Sequence, residues 1–132
     1  MRQVTSQDNL NQDKSDQVGY KKLIVWQKSH LLVKEIYKIT GNFPKDELFG
    51  LTNQMRRCAV SVPANIVEGY SRKSVKEKLN FYNIARGSLS ELEYYIDLSF
   101  DLKYIEEEKY KELLVVRAEV GRLLNGFIKS FM

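Results

Sequence analysis

The sequence has few of the residues that build chemical sites and covalent staples. Its 132 residues include one cysteine, one histidine, two prolines and one tryptophan. A single cysteine excludes an intramolecular disulfide and a cysteine-rich zinc site. A single histidine excludes the paired Glu-x-x-His motifs of a di-iron bundle, and the residue three before His30 is Gln27. No Gly-x-Gly-x-x-Gly, Walker or Gly-x-Ser-x-Gly motif occurs. No uncharged apolar run approaches the ~18 residues of a membrane span, and the polar N-terminus does not read as a signal peptide. The expectation is a soluble, cytoplasmic, non-enzymatic chain with no cofactor, no metal and no membrane partner. At this length, one domain with one core is expected.

What is present is charge, unevenly placed. The net charge is +4. Residues 20–86 hold 13 basic and 5 acidic residues, whereas 87–132 hold 6 basic and 9 acidic residues. Such asymmetry marks a polyanion partner or faces of opposite sign that meet within a bundle or between subunits. Residues 1–19 are rich in Gln, Asp, Asn and Ser, lack an apolar period and read as a flexible polar tail.

The rest reads as four helices. The first covers about 20–40, with Leu23, Trp26, His30, Val33 and Tyr37 on one face and Val25, Leu32, Ile36 and Ile39 widening it. The apolar arc reaches roughly 200°, more than one partner helix needs. Ile24 and Leu31 project from the polar side, beside Gln27, and are the candidate oligomer interface. Gly41 is placed to stop the helix in the left-handed conformation. The second helix covers about 45–69, with Pro44 at its first turn, a core stripe of Leu48, Leu51, Met55, Cys58 or Ala59, Val62 and Ile66, a kink at Pro63 and a stop at Gly69. The third covers about 74–103. Ser74 and Glu77 form a capping box, and Phe81, Ala85, Ser88, Leu92, Tyr95, Ser99 and Leu102 keep heptad spacing. Leu89, Ile96 and Phe100 add a second edge. The fourth covers about 106–130, with Leu113, Val116, Val120, Leu123 or Leu124, Phe127 and Phe131 on its apolar side. Strand signals are weak. Long helices on short loops predict an all-α, antiparallel up-down-up-down four-helix bundle over 20–132.

His30 and Cys58 lie on core stripes and read as packed residues. Glu91, Glu93, Asp97 and Asp101 share spacings on the third helix, and a row of like charges reads as a solvated or interface face. The basic residues are the candidate site: Arg56, Arg57, Arg72, Lys73, Lys76, Lys78 and Arg86 are expected to contact phosphates. Tyr70, Phe81 and Tyr82 are interleaved with them. Tyrosines stack on exposed bases, whereas Phe81 reads as core.

The stretch Gln54-Met-Arg-Arg-Cys-Ala-Val-Ser-Val-Pro-Ala-Asn-Ile-Val-Glu-Gly69 resembles the four-helix-bundle family encoded in intervening sequences of bacterial 23S ribosomal RNA genes. Leu23-Ile-Val-Trp-Gln27, Phe43-Pro44, Glu47-Leu-Phe-Gly-Leu51 and Ala85-Arg-Gly-Ser-Leu-Ser-Glu-Leu-Glu93 are similar to other parts of the same family. The resemblance implies a bacterial bundle that assembles into a ring, typically a homopentamer, and it brings no catalytic residues. It also implies kinship with accessory bundle proteins of diversity-generating retroelements, which engage a reverse transcriptase and nucleic acid. Arg56, Arg57, Asn65, Glu68 and Gly69 match the family signature. Asn65 is expected to satisfy backbone groups freed by Pro63. The leading expectation is a homo-oligomer that binds RNA or DNA. The rival is a protein-interaction scaffold whose charge asymmetry serves ring assembly or a protein partner such as a reverse transcriptase.

Overall fold

The computed structural model describes residues 18–132, so the tail expected over 1–19 lies almost wholly outside the described residues. A 3-10 turn at Gly19–Lys22 leads into α1 (Ile24–Thr40). A second 3-10 turn at Lys45–Glu47 precedes α2 (Leu51–Ser71), α3 (Val75–Asp101) and α4 (Glu107–Lys129). No strand occurs among the described residues.

The helix ends show where local chemistry sets the boundaries. Gln27 is buried, not part of a polar face, because its Nε2 donates to the Lys21 carbonyl at 2.7 Å and holds the preceding turn against α1. Gly41 closes α1 at φ −61°, with no left-handed step. The second helix does not start at 45. Glu47 interrupts it: one carboxylate oxygen accepts the Leu51 amide at 3.1 Å and the other accepts the Tyr104 hydroxyl at 2.7 Å. These two bonds hold the Glu47 carboxyl below its ordinary range and leave Leu48 exposed, outside the core stripe. At the other end α2 runs two residues past Gly69, which is buried within it.

The Ser74 hydroxyl accepts the Glu77 amide at 3.1 Å, so the expected N-cap forms. It also donates to the Glu77 carboxylate at 3.1 Å, which therefore meets the Ser74 hydroxyl and not the backbone N–H of a full capping box. α3 ends in a Schellman arrangement. Lys103 takes φ 65°, Tyr104 N–H donates to Ser99 and Lys103 N–H donates to Phe100.

Adjacent helices run in opposite directions, as their contacts show. Gly69 of α2 meets Tyr82 of α3, Cys58 meets Ser88, and Met55 meets Ser99. Tyr82 of α3 meets Phe127 of α4, Glu93 meets Arg117, and Asp97 meets Tyr110. Lys28 of α1 meets Glu119 of α4 and Glu35 meets Lys109. Each helix therefore packs on two others around one core, and α1 closes on α4.

The core is rotated from the sequence reading on two helices. On α1 it is Val25, Leu32, Ile36 and Ile39, while His30 is exposed and stacked on Trp26 at 4.9 Å. On α3 it is Tyr82, Ala85, Leu89, Leu92, Ile96 and Ser99. Phe81, Ser88 and Tyr95 are only half-buried, and Leu102 is exposed. On α4, Leu124 rather than Leu123 is fully buried, and Ile128 joins it.

Candidate nucleic-acid interface

The fold converts a charge split along the chain into a split between the two ends of the bundle. The start of α1, the end of α2, the start of α3 and the end of α4 share one end. That end, taken as residues 18–29, 64–90 and 118–132, holds ten Lys or Arg and three Asp or Glu. The remainder, 30–63 and 91–117, holds nine basic and eleven acidic residues.

The seven candidate phosphate contacts do not form one patch. Arg56 and Arg72 are separated by about 24 Å of helix. Arg56 reaches across to α1: its Nε donates to Thr40 Oγ1 at 2.9 Å, its Nη2 to the Tyr37 carbonyl at 3.4 Å, and its guanidinium lies 4.6 Å from the Tyr37 ring centre. Arg72 lies between Glu68 at 3.0 Å and Glu77 at 3.8 Å, and over the Phe81 ring at 4.8 Å. Lys78 donates to the Tyr70 carbonyl at 3.0 Å and the Gly69 carbonyl at 3.4 Å, satisfying acceptors at the end of α2. Arg86 reaches toward α4 through Asn83 and Asn125. Arg57, Lys73 and Lys76 are exposed and make no ion pair among the described residues.

The interleaved aromatics are less available than their sequence positions imply. Tyr82 is fully buried, packed 4.9 Å from Phe127 and 5.5 Å from Phe131, so it cannot stack on a base. Phe81 is covered by Arg72, and Lys78 lies 5.6 Å from the Tyr70 ring centre. The cations of this stretch thus come without an open platform from Phe81 or Tyr82, an arrangement suited to gripping a backbone.

Two cations of the basic end escape a reading by chain segment. Arg122 and Lys129 lie in the acidic half of the sequence, yet α4 carries both at the basic end, where Lys129 lines a cleft with Leu79, Asn83 and Arg86 of α3. The signal was the spacing of seven, which places them on one face of α4.

The profile of the 23S rRNA-intervening sequence protein family matches residues 21–126. The chain belongs to this family. Its fold is similar to the crystal structure of a protein of unknown function from the S23 ribosomal protein family of Bacteroides thetaiotaomicron. The TM-score is 0.75 and the identity 28%, over 80% of this chain and 96% of that one. No curated protein matches the chain.

In this family member, most of the signature from Gln54 to Gly69 makes internal contacts. Asn65 Nδ2 donates to the Ser61 carbonyl at 2.8 Å, not to the Ala59 carbonyl that Pro63 leaves without a donor. It also reaches Ser61 Oγ at 3.0 Å, and Ser61 Oγ lies 2.8 Å from Ser88 Oγ on α3. Cys58 Sγ donates to the Ser88 carbonyl at 2.9 Å. Burial and nearby Glu91 push the Cys58 thiol up to about 12, so it is a neutral donor at physiological pH. Glu68 holds Arg72, and Gly69 lies against Tyr82. Of the signature residues singled out from the sequence, Arg57 alone has no internal side-chain partner among the described residues.

The acidic residues of α3 are mostly engaged. Glu93 pairs with Arg117 at 3.1 Å, Asp97 accepts the Tyr110 hydroxyl at 2.7 Å, and Glu91 accepts the Tyr95 hydroxyl at 2.8 Å. No cluster among the described residues is placed to hold a metal ion, and no described helix is long and apolar enough to cross a membrane.

Proposed function

We propose that the chain is a non-enzymatic, self-associating bundle that binds RNA through its basic end. The observation that carries this reading is the ten-to-three excess of basic over acidic residues at that end. Several of those cations, Lys73, Lys76, Arg122 and Lys129 among them, are exposed and make no ion pair among the described residues. Charges without local partners release counterions when they meet phosphates, and this release drives sequence-independent binding. Membership of a family named for an rRNA intervening sequence supports the choice of RNA.

A labelled, structured RNA titrated with the full chain tests the proposal. With about four phosphate contacts, affinity should fall roughly 100-fold as salt rises from about 50 to about 200 mM. No binding at the lower salt overturns it.

A separate observation supports self-association and the scaffold reading. Between α1 and α4 runs a groove of about 700 Å³ lined by Leu31, Val115 and Val116. Ile24, Leu31 and Val115 are 52%, 47% and 68% exposed. Lys28, Lys34 and Glu35 on one rim, with Lys109, Glu112 and Glu119 on the other, give the groove both signs, which suits a protein partner better than a polyanion. The ring of five comes from the family resemblance, and a second copy is the first expected occupant. In sedimentation velocity, the wild type should run above the monomer at micromolar concentration and Leu31→Asp should run as a monomer. A monomeric wild type removes the ring. A ring that dissociates in high salt and ignores RNA favours the scaffold, with a protein such as a reverse transcriptase as the other partner.

A further inference from the structure

At the basic end, α3 and α4 are separated by a cleft of about 510 Å³. Its floor is apolar, from Leu79 and Ile128, and its walls carry Asn83, Arg86, Asn125 and Lys129. The sequence dictates this facing. On α3, residues 76, 79, 83 and 86 follow helical spacing, and on α4 so do 122, 125 and 129. Both stripes contain cations and amides and no carboxylate. The two carboxylates in the flanking stretches belong to other contacts, Glu77 with Arg72 at 3.8 Å and Glu119 with Lys28 at 3.7 Å.

Arg86 is held differently from the other arginines of the helix seams. Arg72 and Arg117 meet carboxylates, and Arg56 meets a hydroxyl, a carbonyl and an aromatic ring. Arg86 donates from Nη2 to Asn83 Oδ1 at 2.6 Å and from Nη1 to Asn125 Oδ1 at 3.4 Å. Two neutral amide oxygens fix the fork and leave its charge uncancelled. A guanidinium has five N–H donors, so three remain for a ligand. Lys129 adds a second cation to the cleft, and neither it nor Arg122 has an ion-pair partner among the described residues.

We propose that this cleft seats the sugar–phosphate backbone of a single nucleic-acid strand, with Arg86 and Lys129 as its central cations and Lys76 and Arg122 as its flanks. The proposal deepens the nucleic-acid reading above and rests on it. From Lys76 to Arg86 the α3 stripe spans about 15 Å, room for roughly four phosphates at the ~3.4 Å step of a stacked strand. The track ends where the same seam turns acidic, at Glu93 with Arg117 and at Asp97 with Tyr110. With Tyr82 buried and Phe81 covered, the cleft grips backbone without stacking bases, so it does not read sequence.

The test uses the full chain with 5′-labelled oligouridylate and oligodeoxythymidylate of about 20 nucleotides, a length chosen to exceed the track. Arg86→Gln with Lys129→Gln should weaken binding to both polymers about tenfold or more, and should lower the slope of log affinity on log salt by about 1.4, at ~0.7 per lost contact on a single strand. Asn125→Asp separates charge from structure. It should cancel the Arg86 charge and weaken binding while leaving the melting temperature unchanged or higher. Lys103→Gln with Lys111→Gln, at the acidic end, should change neither. If the wild type binds the oligonucleotides and the cleft variants bind equally well, or if it binds folded RNA alone, the cleft is wrong and the nucleic-acid reading stands. If the wild type binds no nucleic acid, both fall.

Discussion

Replacing Gly69 by alanine is expected to cost about 2 kcal/mol of stability and to lower the melting temperature by about 8 °C, at ~4 °C per kcal/mol for a domain of this size. A Cβ at this position would lie 2.5 Å from Tyr82 Cε1, 2.9 Å from Cδ1 and 3.2 Å from the Lys78 carbonyl oxygen. The ring has no room to yield, being fully buried against Phe127 and Phe131. Overpacking of this kind costs about 1–3 kcal/mol, and a locked ring next to backbone belongs at the upper end. Alanine returns about 1 kcal/mol through its better helix propensity. Thermal melting of Gly69→Ala, Tyr82→Leu and the double variant checks the cause. The smaller side chain should relieve the clash, so the double variant should be more stable than the sum of the single losses predicts. A Gly69→Ala protein that melts at or above the wild type refutes the close approach. Gly69 closes the stretch by which the chain resembles its family, and its contact with Tyr82 sets how near α2 and α3 come. Asn65 and Cys58 serve the same seam through Ser61 and Ser88.

Four helices, their order and their approximate spans were legible because each carries a 3.6-residue apolar period, and Ser74 marked the start of α3. The inward edge of each apolar face was not. Around α1 the apolar arc is so wide that the series through Trp26 and His30 competes with the series through Leu32 and Ile36. Only the positions of α2 and α4 choose the latter. The break before α2 was hidden because it depends on Tyr104, 57 residues away, holding the Glu47 carboxylate. The same limit applies to the basic residues. Their types announced affinity for phosphate, but Arg56, Arg72 and Lys78 have internal partners on other turns or other helices. Charge counted along the chain split the molecule at residue 86. Charge counted in space splits it between ends, and brings Arg122 and Lys129 from the acidic half into the basic one.

On α3 that difference has a direct energetic test. Heptad spacing puts Leu102 on the core stripe and Leu89 at its edge, whereas the structure leaves Leu102 44% exposed and Leu89 2% exposed. Leu89→Ala is expected to destabilise the bundle by about 3 kcal/mol, within the range for a buried leucine. The site is poorly able to collapse. Leu89 packs toward Gly121 of α4, where a Cβ would lie 3.6 Å from Leu89 Cδ2, so the opposing helix has no side chain there to fill the space. Leu102→Ala should cost no more than about 0.5 kcal/mol, as at other exposed positions. Denaturant unfolding at one fixed protomer concentration compares the two, since self-association adds concentration-dependent stability. The Leu89 variant should show a lower midpoint with an unchanged slope. Equal losses at both positions would place Leu102 in a contact between copies, because within a single chain its side chain has too little buried surface to account for such a cost.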